Sequence, residues 1–241
     1  MVTITNADGT IDQIQVPLTS EEFLHPAEGY HLPNSTFHDD AAGDAKDMLA
    51  SRYANDPHAD AFGDLLIKWD LDLKDHCPDI FVAFGLQNKG QNRETFVVAQ
   101  EGTRPALVIE VVSPRYRKQD RETKVKHYAD AGVQEYVILD QRTLRKKVVE
   151  EVLGYRLVNG HYLPIAPDDQ GRILCTTVGV WISLKNGRVV MEDAATGERL
   201  LNHRELLQRA EQAEQQLEQE RLRTEKLAAY LRSQGIDPDR L

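Results

Sequence analysis

Three residues of this chain stand where ordinary packing would not put them. Asp79 follows Pro78 at the mouth of the β-rich run IFVAFG. Glu110 interrupts the apolar run ALVIEVV, and Lys124 lies in the segment that follows. A carboxylate inside an apolar strand is costly unless it is paired or binds a cation. Taken singly, Asp79 reads as a strand-start acid and Glu110 as half of a structural salt bridge. A strand–turn–strand arrangement can instead bring the two side by side, and adjacent carboxylates repel unless a cation lies between them. Oxygen-rich sites of this kind, completed by water, suit Mg²⁺ or Mn²⁺. Phosphodiester hydrolysis needs such a metal, a water made more nucleophilic, and positive charge where the transition state becomes more negative. A lysine beside the pair meets the second or third need. Asp120, four residues before Lys124, shares its helix face, which is equally readable as a plain surface ion pair.

Positioning these groups requires a sheet with a helix over it. Apolar spacing at Ala45, Met48 and Leu49 predicts a first helix over 44–54, and the alternation in LLIKWDLDL predicts a half-buried strand over 65–73. IFVAFG, TFVVAQ, ALVIEVV and EYVILD read as further strands. Between the last two, Arg121, Val125, Tyr128 and Ala129 share a helical face, with Gly132 where a terminating glycine belongs. Residues 145–192 alternate β-rich runs with Gly turns, as a meander does. From about Asn202 to Ser233, Leu206, Ala210, Ala213, Leu217, Glu220, Thr224, Leu227 and Leu231 trace a heptad seam with a polar middle, a weak coiled coil. The expected organisation is an irregular arm (1–40), an α/β core (41–145), a β-rich extension (146–198) and a helical tail (199–241).

The chain has 241 residues and a formal net charge of −10, with 29 Lys+Arg against 39 Asp+Glu. Overall acidity argues against polyanion binding by the whole surface. Residues 81–150 depart from it, with 13 basic and 9 acidic side chains. Their densest basic cluster runs from Arg115 through Arg117, Lys118 and Arg121 to Lys124 and Lys126. It reads as a solvated helix face or as a phosphate-backbone contact. No apolar run approaches a membrane span and no secretory signal is visible, so a cytoplasmic protein is expected. Cys77 and Cys175 provide no disulfide framework, and the 8 histidines show no HxxxH spacing for zinc. No glycine-rich phosphate loop suggests a nucleotide cofactor.

The order Pro78-Asp79, Glu110-Val111-Val112-Ser113-Pro114, Asp120, Lys124, Tyr128, Gly132-Val133 and Glu135-Tyr136-Val137-Ile138-Leu139-Asp140 resembles the Uma-two family over roughly residues 35–190. This is a bacterial group of restriction endonucleases with the PD-(D/E)XK nuclease fold. The tail, closing on RSQGIDPD, resembles a cyanobacterial-type branch. The resemblance implies a restriction-endonuclease-like core, with a central mixed sheet flanked by helices, that hydrolyses DNA with Mg²⁺ or Mn²⁺. Asp79 and Glu110 would be metal ligands, joined by the carbonyl of Val111. The general signature places lysine two residues after the acid, where this chain has Val112, so the role passes to Lys124. An N-terminal acid or histidine is also implied, with His38, Asp40 and Asp47 all open. Arg115, Arg117, Lys118 and Arg121 would hold the DNA backbone, and the tail would pair in a homodimer. The rival expectation is a catalytically silent module that tethers DNA or assembles partners through the tail. Replacing Lys124 by Ala is expected to leave stability almost unchanged.

Overall fold

An apolar run such as ALVIEVV, with no polar alternation, is what a strand covered on both faces requires. The computed structural model of the chain, which describes residues 2–5, 11–14, 35–113 and 117–234, puts it at the centre of a sheet. The chain divides into two units, Met1–Ser35 and Thr36–Leu241. In the first, β1 (Val2–Thr5) pairs antiparallel with β2 (Ile11–Ile14), so the arm read as irregular contains a short hairpin. The second opens with α1 (Thr36–Arg52), β3 (Ala59–Gly63), β4 (Leu66–Lys68), β5 (Ile80–Phe84), β6 (Thr95–Val97), the single turn α2 (Val98–Glu101) and β7 (Pro105–Val111). A π-helical turn, Gln119–Thr123, then runs into α3 (Lys124–Asp130). β8 (Glu135–Leu144), β9 (Lys147–Val158), β10 (His161–Ile165), β11 (Ile173–Cys175), β12 (Val180–Lys185) and β13 (Arg188–Asp193) follow, and α4 (His203–Ser233) ends the described chain.

The main sheet has the order β10-β9-β8-β7-β5-β3, with β7 and β8 parallel and every other pair antiparallel. The fold is therefore mixed α/β, with a central mixed sheet, flanking helices and a C-terminal helix. Strand alternation divides its core in two. Ile80, Val82, Leu107, Ile109 and Val137 face α1 and the three-stranded β11-β12-β13 sheet. Phe81, Val108, Val112, Tyr136 and Ile138 face α3 and the β4–β6 pair. Gly154 marks where the second sheet crosses β9. A Cβ there would meet Ile173 Cδ1 at 2.7 Å and Ile165 Cβ at 3.3 Å, so any side chain would force these neighbours to shift. No helix of the described residues is long and apolar enough to cross a membrane.

Four elements differ from the sequence reading, among them TFVVAQ, whose strand ends at Val97 where α2 begins. α1 begins at Thr36 rather than Asp44, because its buried face opens with His38 and Ala41, too faint an apolar signal to count as periodic. The strand expected over 65–73 stops at Lys68. Beyond it the chain doubles back, Ile67 N–H donating to the His76 carbonyl at 2.7 Å, and Leu71 is left exposed. The runs KKVVEEVL and YRLV form one strand, β9, paired with β8 along its length.

Beneath α3, the rings of His76 and His127 lie 3.7 Å apart between centroids, against Trp69 and Tyr128. Burial, with His76 beside it, pulls His127 down to about 4 from its usual 6.5. The unfolded chain thus takes up this proton at a higher pH than the folded one. The stabilisation is complete above pH 6.5 and is lost as the pH falls toward 4. Thermal melts should show His127→Gln losing less stability than the wild type on acidification through that window. Parallel curves for the two proteins would remove His127 from the acid response.

Candidate active site

The site grows from the register of two strands. Ile80 pairs with Ile109 and Phe81 with Val108, so continuing β5 backward by one residue sets Asp79 opposite Glu110. Alternation then points both carboxylates to the face covered by α3. Directly opposed residues have Cβ atoms roughly 4.5–5.5 Å apart. The Val111 N–H donates to Asp79 Oδ2 at 2.7 Å, fixing this acid against the next strand. His38 Nε2 lies 3.2 Å from the same oxygen. It reaches Asp79 from α1, whose main contacts are on the opposite face of the sheet.

Glu110 is 2% exposed. Its Oε1 accepts from the Tyr128 hydroxyl at 2.7 Å and lies 2.9 Å from Lys124 Nζ. Lys124 Nζ is also 2.8 Å from Asp120 Oδ1. The π-helical turn makes this possible. The Lys124 N–H bonds to the Gln119 carbonyl, five residues back, and the Tyr136 hydroxyl donates to the Asp120 carbonyl at 2.9 Å. Asp120 is thereby buried beside Lys124 rather than left on the outer helix surface. Single π turns of this sort occur frequently at functional sites.

The electrostatics follow from burial. Loss of water pushes the Glu110 carboxyl up to about 8, against the pull of Lys124 and with the push of Asp79. Burial disfavours charge on Lys124 too, but Glu110 and Asp120 outweigh it and hold the ammonium above its usual range. Burial lowers His38, yet its bond to Asp79 and the surrounding acids leave it raised. Two buried acids, Glu110 and Asp120, thus flank one firmly protonated lysine, with Asp79 on the neighbouring strand.

Among the described residues, no three His, Cys, Asp or Glu side chains converge as a ready-made metal cage. The donor set nevertheless fits a magnesium-type ion, which takes one or two carboxylates and keeps most of its water. Asp79 and Glu110 supply such a pair on adjacent strands, with more negative charge nearby than Lys124 alone balances.

Of the residues expected from sequence, the structure brings Asp79, Glu110, Lys124, Asp120 and His38 together. Asp40 is elsewhere, 3.4 Å from Arg188. Arg117 and Arg121 are held by Asp140 and Glu151, respectively, while Lys118 is exposed. Arg115 lies outside the described residues. Tyr128, read from sequence as sharing a face with Val125 and Ala129, is buried in the core under α3. It also lies four residues after Lys124, and both reach Glu110. That i,i+4 spacing was the available signal.

The family profile Uma2, described as "Putative restriction endonuclease", matches residues 32–185. The chain belongs to the Uma2 family. Asp79, Glu110, Asp120 and Lys124 all fall inside the matched region. Among solved structures, the chain is similar to a crystal structure described as a "putative nuclease belonging to DUF820" from Anabaena variabilis ATCC 29413. Identity is 18%, coverage is 67% of this chain and 91% of that chain, and the TM-score is 0.45. No curated protein matches.

The expectation that Lys124→Ala spares stability does not survive the geometry. Its ammonium bridges two buried carboxylates, so truncation leaves both without their cation. Urea melts should show a loss of about 2 kcal/mol or more for Lys124→Ala. Adding Glu110→Gln to that variant should recover part of the loss, because the stranded charge is gone. Strictly additive effects of the two substitutions would mean that the pair is not coupled.

Proposed function

We propose that this protein is a divalent-cation-dependent endonuclease that hydrolyses DNA phosphodiester bonds. The observation that carries the reading is Lys124 Nζ at 2.9 Å from a Glu110 carboxylate set opposite Asp79. A catalytically silent relic would have no need to keep this arrangement buried. The description of the Uma2 family supports the same class of activity.

Asp79 and Glu110 would hold Mg²⁺ or Mn²⁺, with the Val111 carbonyl as a further ligand. The ion would polarise a phosphoryl oxygen and acidify a bound water. The chain's own residues do the remaining work. Tyr128 fixes the rotamer of Glu110, and the Val111 N–H and His38 fix that of Asp79. Lys124, kept protonated by Glu110 and Asp120, is a poor proton acceptor at neutral pH. Its part is to stabilise negative charge growing on the phosphoryl group, a preorganised electrostatic role. Lys118, exposed at the start of the π turn, would contact the DNA backbone. Arg115 keeps that assignment from sequence alone, whereas Arg117 and Arg121 would contact phosphate only from within their ion pairs.

A second element of the reading is assembly as a homodimer. α4 has no buried residue along its 31 residues and leaves Leu217, Leu227 and Tyr230 exposed. A second copy of the same helix would cover that stripe, and a dimer suits action on both strands of a duplex.

Supercoiled plasmid should be nicked or linearised with Mg²⁺ or Mn²⁺ and left intact in EDTA. Asp79→Asn and Glu110→Gln should each lower the rate by about a hundredfold or more. Cleavage untouched by both substitutions would overturn the site assignment. In light scattering, truncation after Gly197 should convert a dimer to a monomer. A full-length monomer at micromolar concentration would end the tail-pairing idea.

A further inference from the structure

The β8–β9 hairpin continues well past the site. β7 and β8 run parallel with Glu110 beside Ile138, while β8 pairs with β9 out to Leu144 and Lys147. Six residues separate Ile138 from Leu144, roughly 20 Å at strand spacing. The arm leaves the sheet from the end of β7 that carries Glu110.

Its base is fixed and its tip is bare. At the base, Asp140 and Glu151 are tied to Arg117, Arg121 and Arg142. The Glu150 carboxylate accepts from the Asn186 and Gly187 backbone N–H groups of the β12–β13 turn. Beyond these anchors, residues 143–148 are all exposed, with Leu144 at 56% and Val148 at 63%. The turn itself is Arg145–Lys146, both in the left-handed region at φ +49° and +66°. Two-residue turns of this hand favour Asn–Gly, so two long cations here run against local preference. No ion pair of the described residues involves Arg145, Lys146 or Lys147, whereas the arginines at the base are all paired. In a chain of net charge −10, three consecutive unpaired cations are a local reversal of sign.

We propose that this hairpin is a duplex-DNA contact arm, with Arg145, Lys146 and Lys147 meeting backbone phosphates beside the groove the ribbon enters. The inference rests on the nuclease reading for its choice of polyanion. A two-stranded ribbon fits the major groove, about 12 Å wide, and its exposed Leu144 and Val148 suit apolar contact with thymine methyl groups. Phosphate contacts at the tip would set the register of the duplex relative to Asp79 and Glu110.

The test is binding of a short fluorescent duplex in EDTA, where no cleavage competes, at several salt concentrations. The triple variant Arg145→Asn, Lys146→Gly, Lys147→Thr removes the charge while giving the turn its preferred residues, so its thermal midpoint should equal or exceed that of the wild type. Its affinity should fall roughly tenfold or more, and its salt slope by about 2 to 3, since each lost phosphate contact contributes about 0.9. Lys147→Gln alone, on ordinary strand backbone, should lower the slope by about 1. Unchanged affinity in the triple variant, no binding by the wild type, or an equal loss on single-stranded DNA would each overturn the arm. Failure of the nuclease reading would look different, as hairpin-dependent binding without cleavage when Mg²⁺ is added.

Discussion

Burying the Glu110 carboxylate in the middle of the sheet is the constraint around which the α3 side of the molecule is arranged. An ionised acid there needs a cation and filled hydrogen bonds, and the chain supplies Lys124 and Tyr128 from a single helix face. Lys124 must in turn stay charged, which calls for the second acid, Asp120. Asp120 reaches inward because the helix begins as a π turn, held by Tyr136 from the neighbouring strand. Remove the buried acid and none of these features has a reason to exist. A well-packed apolar residue would serve the core equally well or better, since buried ion pairs are seldom net stabilising against hydrophobic replacements. The arrangement is costly to folding and intelligible as chemistry.

The α/β class and the grouping of Asp79, Glu110 and Lys124 were legible in the sequence, whereas the bounds of several elements were not. Glu110 betrayed itself because an acid in ALVIEVV violates a strong packing rule, and Pro78-Asp79 gained meaning only beside it. Lys124 and Asp120 followed from spacing. His38 stayed unresolved among three candidates because a lone histidine in an Ala-rich stretch carries no periodic signal. The choice was made by the end of the sheet, where α1 and β5 meet. Tyr128 was seen as packing, because an aromatic side chain announces its ring before its hydroxyl.

The arginines show the opposite lesson. As a string, the segment from Arg115 to Lys126 reads as a basic face. In three dimensions, Asp140 and Glu151, distant in sequence, neutralise much of it. Among the described residues, Arg145, Lys146 and Lys147 have no ion-pair partner and lie at a turn whose local preferences give no hint of Arg–Lys. Strand lengths were misjudged for a related reason. Alternation in LLIKWDLDL looked like a strand, but hydrogen bonding to His76 ended it after three residues, a tertiary decision invisible to local pattern.

The crossover between parallel strands β7 and β8 has a dynamic consequence. Every group that compensates Glu110 from that side, Asp120, Lys124 and Tyr128 alike, rides on this one connection. If the π turn and α3 lift away together, water reaches all the charges at once, and hydration offsets part of the packing that is lost. Local opening here is therefore cheaper than the depth of burial suggests. The amides of the crossover should be among the faster-exchanging buried amides of the protein, set on strands that open only with global unfolding. The charges that make this side of the sheet costly to bury thus also make it the part of the core that opens at the smallest cost.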